Sequence, residues 1–321
     1  MVKIEPHSHS HKRISSVSNR GRNPDYAVKR NRRKGSVGTV KIKIAETAGF
    51  CFGVRRAVGL AEKIAGGDKK VFTLGPLIHN PQEVRRLKRN GIMSVKNGDK
   101  LAGCRLILRT HGIPSSHRAK LETQNLELVD ATCPFVKRAQ DIVKQLSRDG
   151  YQIIIVGEHT HPEVVALVSY CKGRCHVVEN SGELKGVKLE EKVGILSQTT
   201  QTKENFDSVI KKIRKLRGDV KVFNTICRAT EARQQDASKL AKQVDIMVVV
   251  GGKNSGNTRR LYEISSKYAK SHLIETASQI KSGWFKGAKS IGLTAGASTP
   301  QWIIKKVVNK IESLWNIKKI K

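Results

Sequence analysis

The sequence predicts an α/β protein with parallel sheets, and two features of the chain lead to this fold class. From residue 40 onward, short β-branched apolar runs are each followed by a polar or glycine-rich turn and then by a basic segment of helical periodicity. Strands that alternate with helices in this way are typical of parallel sheets covered by helices. At least eight such runs occur along the 321 residues, which is more than one small sheet needs.

The clearest predicted strands, in chain order, are 41–44, 70–74, 105–108, 151–156, 193–196, 220–223, 245–250 and 290–293. The clearest predicted helices are 54–64, 134–146, 205–216, 228–242 and 300–314. Gly150 follows Arg148 and Asp149 as a C-cap glycine would, so we expect it to end the second of these helices.

The chain is strongly basic, with 61 Lys and Arg against 27 acidic residues and a net charge of +34. This balance attracts polyanions, so nucleic acid, anionic lipid and phosphorylated metabolites all stay open as partners on charge alone. The first 40 residues carry ten Lys and Arg against two acids. We expect a disordered basic extension there, with an organelle-targeting peptide as the alternative.

The sequence predicts a soluble protein of a reducing compartment. No apolar run reaches the roughly 18 to 20 residues that span a bilayer. Six scattered cysteines are too few for a disulfide-stapled secreted scaffold of this length. We therefore expect a cytoplasmic location, or a plastid-type organelle if the basic extension is a targeting peptide.

The residues capable of chemistry lie in turns that leave a strand and enter a helix, which is the edge where open parallel sheets bind ligands. Three cysteines sit in such turns and are spaced by 82 and 94 positions: Cys51, Cys133 and Cys227. Near-equal spacing suggests one thiolate from each of three lobes. Three thiolates suit an iron–sulfur cluster or a zinc ion, while buried apolar cysteines are the simplest alternative. The other cysteines are predicted to be bystanders: Cys104, Cys171 and Cys175.

Three histidines also stand at predicted strand ends: His79, His111 and His161. Later strand ends add Ser255, Asn257 and Ser298. These hydrogen-bond donors, together with helix N-termini, suit a diphosphate. Glu163 would bring a carboxylate into this basic site, where it could carry protons, or it could merely favour a helix N-terminus. Thr199 and Thr200 could likewise hold a substrate hydroxyl or cap a helix.

These segments together closely resemble the 4-hydroxy-3-methylbut-2-enyl diphosphate reductase family from about residue 41 to about residue 310. The motifs that carry the resemblance occur in the family's order: 48–54 (AGFCFGV), 79–80 (HN), 110–112 (THG), 130–134 (DATCP), 161–163 (HPE), 197–200 (SQTT), 225–227 (TIC), 254–257 (NSGN) and 298–300 (STP). The resemblance implies three pseudo-repeated lobes, each a small, mostly parallel sheet flanked by helices, around a central iron–sulfur cluster. We expect the lobes at 41–133, 134–225 and 226–321, with the first strand in the first lobe or the third.

The resemblance also implies roles for individual residues. It implies one 4Fe–4S cluster with three cysteine ligands, Cys51, Cys133 and Cys227, and Glu163 as the catalytic proton carrier. The implied substrate-binding residues are His79, His111, His161, Gln198, Thr199, Thr200, Ser255, Gly256, Asn257 and Ser298. Where some members carry a second serine after Ser255, this chain has Gly256, which loses a hydroxyl but leaves a backbone N–H that can approach a phosphate closely.

The implied reaction is reductive dehydroxylation of the allylic diphosphate to isopentenyl and dimethylallyl diphosphate. A single-electron donor such as ferredoxin or flavodoxin would be the partner. Two other hypotheses stay open. A basic nucleic-acid-binding protein is the alternative, although aromatic residues make up only 5% of the chain and weak binding by the basic extension is the most we expect. A zinc hydrolase on the same cysteines would need no reductant.

Overall fold

The structure, a computed structural model, describes residues 40–96 and 101–317. Apart from Val40, the predicted basic extension lies outside the described residues, as do the last four residues. The strands are β1 (Lys41–Ile44), β2 (Val71–Leu74), β3 (Ile92–Val95), β4 (Arg105–Leu108), β5 (Glu127–Asp130), β6 (Gln152–Val156), β7 (Cys175–Val178), β8 (Val193–Ser197), β9 (Val220–Phe223), β10 (Ile246–Val250), β11 (Lys270–Ile274) and β12 (Ser290–Ala295). The α-helices are α1 (Phe52–Ala65), α2 (Pro81–Arg89), α3 (Ser115–Glu122), α4 (Pro134–Arg148), α5 (Pro162–Ser169), α6 (Lys203–Arg214), α7 (Arg228–Ala241), α8 (Gly256–Ser266) and α9 (Gln301–Ile317).

The strands form three separate sheets of four strands each. Their orders are β3-β2-β4-β5, β7-β6-β8-β9 and β11-β10-β12-β1. Every strand pair within these sheets is parallel. The predicted α/β class with three small parallel sheets is therefore confirmed.

The three sheets share one topology, in which the first strand lies between the second and the third, and the fourth lies beyond the third. The last sheet has only three strands from its own stretch of chain, and β1 from the other end of the chain fills its fourth position. β1 pairs with β12, with Ile42 opposite Ile291. The first strand of the described chain is thus the fourth strand of the sheet that contains the last three strands, β10, β11 and β12.

The middle sheet shows why the sequence pattern gives this layered arrangement. Successive residues of a strand point to opposite faces. Along β6, Ile153 and Ile155 pack in one apolar core and Ile154 and Val156 in another, and all four are fully buried. Helices therefore cover both faces of the sheet, as parallel sheets require.

Four strands were not among those predicted from the sequence, namely β3, β5, β7 and β11, and all four lie at sheet edges. An edge strand has a neighbour on one side only and keeps exposed or half-buried residues, as β3 does at Met93 and Ser94. Its sequence therefore lacks the continuous apolar run seen in β6, β8 and β10, each of which is buried along its whole length.

Local signals at helix ends behave as predicted. Gly150 has φ of +74° directly after the C-cap Asp149 of α4, a backbone region that favours glycine. The N-cap of α6 is Thr202, so Thr199 and Thr200 do not cap that helix. Among the described residues, no helix is both long and apolar enough to cross a membrane.

Candidate functional site

The carboxyl ends of strands from all three sheets open onto one central cavity. Its walls come from the turns after nine strands, three from each sheet. Of the residues predicted for the site, the cavity is lined by Cys51, Cys133, Cys227, His79, His111, His161, Glu163, Thr199, Thr200, Ser255, Gly256, Asn257 and Ser298. Gln198 lies just behind this wall, and its amide donates to Thr200 Oγ1 at 2.9 Å.

The three sheets contribute to the cavity in an equivalent way. The turn after the fourth strand of each sheet ends in a cysteine that is the N-cap of the next helix: Cys51 of α1, Cys133 of α4 and Cys227 of α7. Each cysteine N–H donates to a carbonyl in the turn after the neighbouring strand, namely Cys51 to Ala297 at 3.1 Å, Cys133 to Thr110 at 3.0 Å and Cys227 to Thr199 at 2.9 Å. The shared topology therefore brings one thiol from each lobe to the centre.

The thiols lie at the positive ends of three helix dipoles, and all three cysteines are half-buried. Burial raises the pKa of Cys133 to about 11, and the neighbouring thiols of Cys51 and Cys227 raise it further. Burial also raises the pKa of Cys227. A Cβ atom on Gly53 would lie 2.6 Å from Cys133 Sγ and 4.0 Å from Cys51 Sγ, so glycine leaves the space between two sulfurs open. Thiols of this kind give up their protons when a metal binds them.

The three histidines form a cluster on the cavity wall. The ring centroids of His79 and His111 are 4.1 Å apart, and those of His161 lie 5.5 Å from His79 and 5.6 Å from His111. Burial lowers the pKa of His79 to about 4 and that of His161 to about 3, with nearby arginines contributing. The pKa of His111 is also lowered, by burial and by the other two histidines. All three rings are therefore neutral near pH 7.

Glu163 is a fully buried carboxyl beside the thiols and the histidines. It accepts hydrogen bonds from the backbone N–H of Thr199 at 2.6 Å and from Thr199 Oγ1 at 2.8 Å. Burial raises the pKa of Glu163 to about 7, and the two bonds from Thr199 oppose the rise. Glu163 lies in the first turn of α5, whose N-cap is His161. A carboxyl with this pKa can hold a proton at neutral pH and release it there.

Polar groups without partners identify where a ligand would bind. Within the described residues, His79 Nε2 and both side-chain polar atoms of Asn257 are buried and have no hydrogen-bond partner. Buried polar atoms are rarely left unpaired, so these atoms indicate space for a polar ligand. Ser255, the N-cap of α8, lies beside Asn257, and Ser298 Oγ donates to the backbone carbonyl of His79 at 3.1 Å.

The structure adds residues that the sequence analysis missed. Arg109 lowers the pKa of all three histidines through its positive charge. Glu158 forms ion pairs with Arg259 and Arg260 of α8, and so links the second sheet to the third beside the cavity. Arg233 of α7 lines the cavity itself. Helical periodicity could have found Arg233, because it belongs to the buried face of α7 with Thr230 and Ala237.

The remaining cysteines do not line the cavity. Cys104 is half-buried and lies before β4, where its thiol contacts the Ala102 carbonyl. Cys171 and Cys175 flank the connection from α5 to β7, and burial together with Cys171 raises the pKa of Cys175 to about 12.

Comparison with known proteins identifies close relatives. A sequence model of a family described as LytB protein matches residues 42–312. The chain is 46% identical over 273 residues to the 4-hydroxy-3-methylbut-2-enyl diphosphate reductase of Pelobacter propionicus, covering 85% of this chain and 98% of that protein. It is 48% identical over 280 residues to the enzyme of the same name from Aquifex aeolicus, covering 86% and 97% of the two chains.

Solved structures agree with the sequence comparison. One, described as (E)-4-hydroxy-3-methyl-but-2-enyl diphosphate reductase, the terminal enzyme of the non-mevalonate pathway, matches with a TM-score of 0.65 and 48% identity over 85% of this chain and 99% of that one. The E-1-hydroxy-2-methyl-but-2-enyl-4-diphosphate reductase from Plasmodium falciparum matches with a TM-score of 0.80 and 26% identity over 84% and 86%. The resemblance that the motifs indicated is confirmed.

Proposed function

The chain belongs to the LytB protein family, and from this membership we propose that it reduces (E)-4-hydroxy-3-methylbut-2-enyl diphosphate to isopentenyl diphosphate and dimethylallyl diphosphate. The reaction consumes two electrons and two protons, breaks the bond between carbon and the hydroxyl oxygen, and releases one water. The observation that carries the proposal is the cavity, in which three thiols, three neutral histidines and one buried carboxyl meet.

We propose that Cys51, Cys133 and Cys227 hold one 4Fe–4S cluster. The donor set fits such a group, because three soft sulfur ligands come from three helix N-termini whose dipoles favour the negative charge of thiolates. The space that Gly53 keeps free between two of the sulfurs fits it as well. When bound, a cluster with three protein ligands supplies electrons one at a time and leaves one iron free of protein ligands.

The diphosphate would bind at the histidine cluster. His79, Asn257 and Ser255 offer polar atoms there, two of these residues with atoms that otherwise lack partners. The first residues of α5 and α8 also line the cavity, so the positive ends of two helix dipoles favour an anion. We propose that His111, His161, Gly256 and Ser298 complete this cradle. The protein thus supplies hydrogen-bond donors to this cradle, and Arg109 adds a fixed positive charge that acts on all three histidines.

Glu163 would deliver the proton that turns the departing hydroxyl into water. Hydroxide is a poor leaving group, and protonation during bond breaking lowers that barrier. Thr199 Oγ1 donates to Glu163, and we propose that it holds the substrate hydroxyl near the carboxyl. Gln198 and Thr200 support this wall through the bond from the Gln198 amide to the Thr200 hydroxyl. Glu163 therefore moves the proton, and Thr199 orients the group that receives it.

The electrons would come from an acidic redox protein such as a ferredoxin or flavodoxin. Each cysteine is followed in the chain by an exposed residue of the first helical turn. Close to Cys51 and Cys133 in the chain, Phe52 exposes 63% of its surface and Phe135 exposes 37%. The exposed cations around them are Arg55, Arg56, Arg138 and Arg228, none of which pairs with a carboxylate within the described ranges. Exposed aromatic side chains with exposed arginines close to them in the chain favour a partner that has an acidic surface around its redox centre.

The first experiment is the anaerobic visible spectrum with iron and sulfide analysis of the parent protein and of Cys133→Ser. We expect a brown parent with about four irons per chain and a variant depleted of iron. Turnover of the allylic diphosphate with dithionite and a viologen dye then tests the reaction. A parent that stays colourless after anaerobic reconstitution with iron and sulfide would contradict the proposal, and bound zinc would favour the hydrolase instead.

A further inference from the structure

Arg233 is a buried cation that the chemistry proposed above leaves without a role. It lies on α7, six residues after Cys227, with only 5% of its surface exposed, and it lines the cavity. Its guanidinium donates to the carbonyl of Ala229 at 3.1 Å and to that of Gly49 at 2.6 Å. Its Nε is buried and has no partner among the described residues. No carboxylate in the described part of the chain forms an ion pair with it.

A buried charge without a counter-charge is expensive, because the protein interior solvates it far less well than water does. Two carbonyl oxygens solvate the guanidinium of Arg233 only in part. Burial accordingly lowers the pKa of Arg233, whereas the negative charges of deprotonated Cys51 and Cys227 and, more weakly, of Asp236 raise it. Two of the three proposed cluster ligands thus interact with this cation more strongly than the carboxylate of Asp236 does.

The shared topology of the lobes makes Arg233 exceptional. The residue six positions after the cysteine is Ala57 in α1 and Ala139 in α4, and both are fully buried in apolar cores. The packing of these helices therefore calls for a small apolar residue at this position. In α7 alone it is a long cation, so its presence is not explained by the core.

We propose that Arg233 is the counter-charge of the cluster site, which stabilises the thiolate ligands and makes the cluster easier to reduce. This inference rests on the proposed function, because it requires a cluster at Cys51, Cys133 and Cys227. A positive charge nearby favours the more negative, reduced form of any redox centre. Arg233 does not need to touch the substrate, so it acts as a positioning and tuning residue for the reaction.

The test compares Arg233→Gln and Arg233→Lys with the parent, each reconstituted anaerobically and titrated potentiometrically with its iron content measured. We expect Arg233→Gln to have a lower midpoint potential, corresponding to about a ten-fold or larger loss in the one-electron reduction equilibrium, and to release iron faster to a chelator. Arg233→Lys keeps the charge and should stay close to the parent. Lys239→Gln removes an exposed charge from the same helix and serves as the matched control.

An unchanged potential in fully loaded Arg233→Gln would overturn the inference and leave Arg233 as a tie to Gly49. If Arg233→Gln holds no iron, thermal unfolding of the cluster-free proteins decides. Without a cluster, the parent buries the charge of Arg233 uncompensated, whereas Arg233→Gln buries no charge there. If Arg233 is a counter-charge, cluster-free Arg233→Gln should therefore unfold at a temperature no lower than that of the cluster-free parent. A clear fall would overturn the inference. If the parent itself binds no iron after anaerobic reconstitution, the proposed function is contradicted, and the comparison of variants does not arise.

Discussion

Glu163 is buried, has a pKa near neutrality and lines the same cavity as the thiols. We therefore expect turnover to require the protonated form of Glu163. We expect Glu163→Gln to lower turnover by about 10²-fold or more, as expected for the loss of a proton donor. With a pKa of about 7, the acid form is lost as the pH rises. At saturating substrate, where the pH dependence of diphosphate binding no longer contributes, kcat of the parent should therefore fall about ten-fold per pH unit above the pKa of Glu163 in the complex, and the variant should lack this limb.

The control for this variant is its cluster content, because glutamine has nearly the same shape and its carbonyl oxygen can still accept one of the two bonds that Thr199 donates. Iron per chain and the visible spectrum should match those of the parent. Turnover within a few-fold of the parent, or a descending limb that persists in Glu163→Gln, would remove Glu163 from the proton path.

The histidine cluster is neutral before a ligand arrives, and this has a consequence for binding. The pKa values of His79 and His161 are about 4 and about 3 in the free protein. A bound diphosphate raises the pKa of each neighbouring histidine, because its negative charge favours the imidazolium form. Binding should therefore take up protons and tighten as the pH falls from 8 toward 6.

Calorimetry measures this uptake, since the heat of binding inorganic diphosphate then differs between buffers of different ionisation enthalpy. His79→Asn should take up fewer protons than the parent, by at most one. The ligand's own titration is the same for both proteins, so the difference belongs to His79. Equal proton uptake by the parent and by His79→Asn would show that the His79 ring stays neutral in the complex.

At the residue scale the sequence located side chains through motifs, but it did not give their electrostatics. All fourteen predicted site residues lie in or directly behind the cavity wall, because each follows a strand end. Arg233 was missed although it lies on the periodic buried face of α7. Arginine is rarely buried, so an arginine on an otherwise apolar helix face indicates the edge of that face rather than a residue of a buried site.

At the scale of elements, α1 offers a paired test of the space around the thiols. Gly53→Ala would place a Cβ 2.6 Å from Cys133 Sγ, whereas Gly59→Ala on the same helix meets nothing within 4 Å. We expect Gly59→Ala to add about 0.5–1 kcal/mol to the free energy of unfolding, because alanine favours a helix over glycine. Gly53→Ala should instead displace the Cys133 thiol and lose iron. Iron analysis and thermal unfolding decide, and full iron loading in Gly53→Ala would contradict this account.

The elements that the sequence pattern missed also share a physical cause. Buried central strands such as β6 and β10 are recognisable from their own residues, since both of their faces are apolar. Edge strands such as β5, with the sequence ELVD, owe their conformation to pairing with a neighbour, here β4. Their order in the sheet depends on contacts between distant segments, which local periodicity does not record.

For the whole molecule, the repeat of one topology explains why a single site forms between three sheets. Each sheet sends a cysteine from its fourth strand, and β1 supplies the fourth strand of the last sheet by pairing with β12. The near-equal spacing of the cysteines indicated three lobes, but it did not decide between the first and the third as the location of β1. Because β1 pairs with β12 in the last sheet, Cys51, which follows β1, lines the cavity from the last sheet rather than from the first.

The net charge of +34 acts at the same scale, because the rate of association with an acidic donor depends on the field of the whole protein. Reduction by a reduced flavodoxin should slow as the salt concentration rises from about 0.05 M to about 0.5 M, where the Debye length becomes shorter than the contact region. Reduction by a viologen dye needs no docking, and because its reduced form is a cation that the basic protein repels, this rate should not fall as the salt concentration rises. Arg138→Glu, beside the exposed Phe135, should lower the flavodoxin-dependent rate about three- to ten-fold.

Arg214→Glu makes the same charge change at an exposed position on α6, away from the cysteines, and is the matched control. If only the total charge mattered, both variants would slow reduction by flavodoxin equally, because each lowers the net charge by two. A docking surface around the thiols predicts that Arg138→Glu has the larger effect and a shallower salt dependence. If the flavodoxin-dependent rate of the parent does not change with salt concentration, the basic surface does not contribute to electron transfer, and its charge serves another purpose.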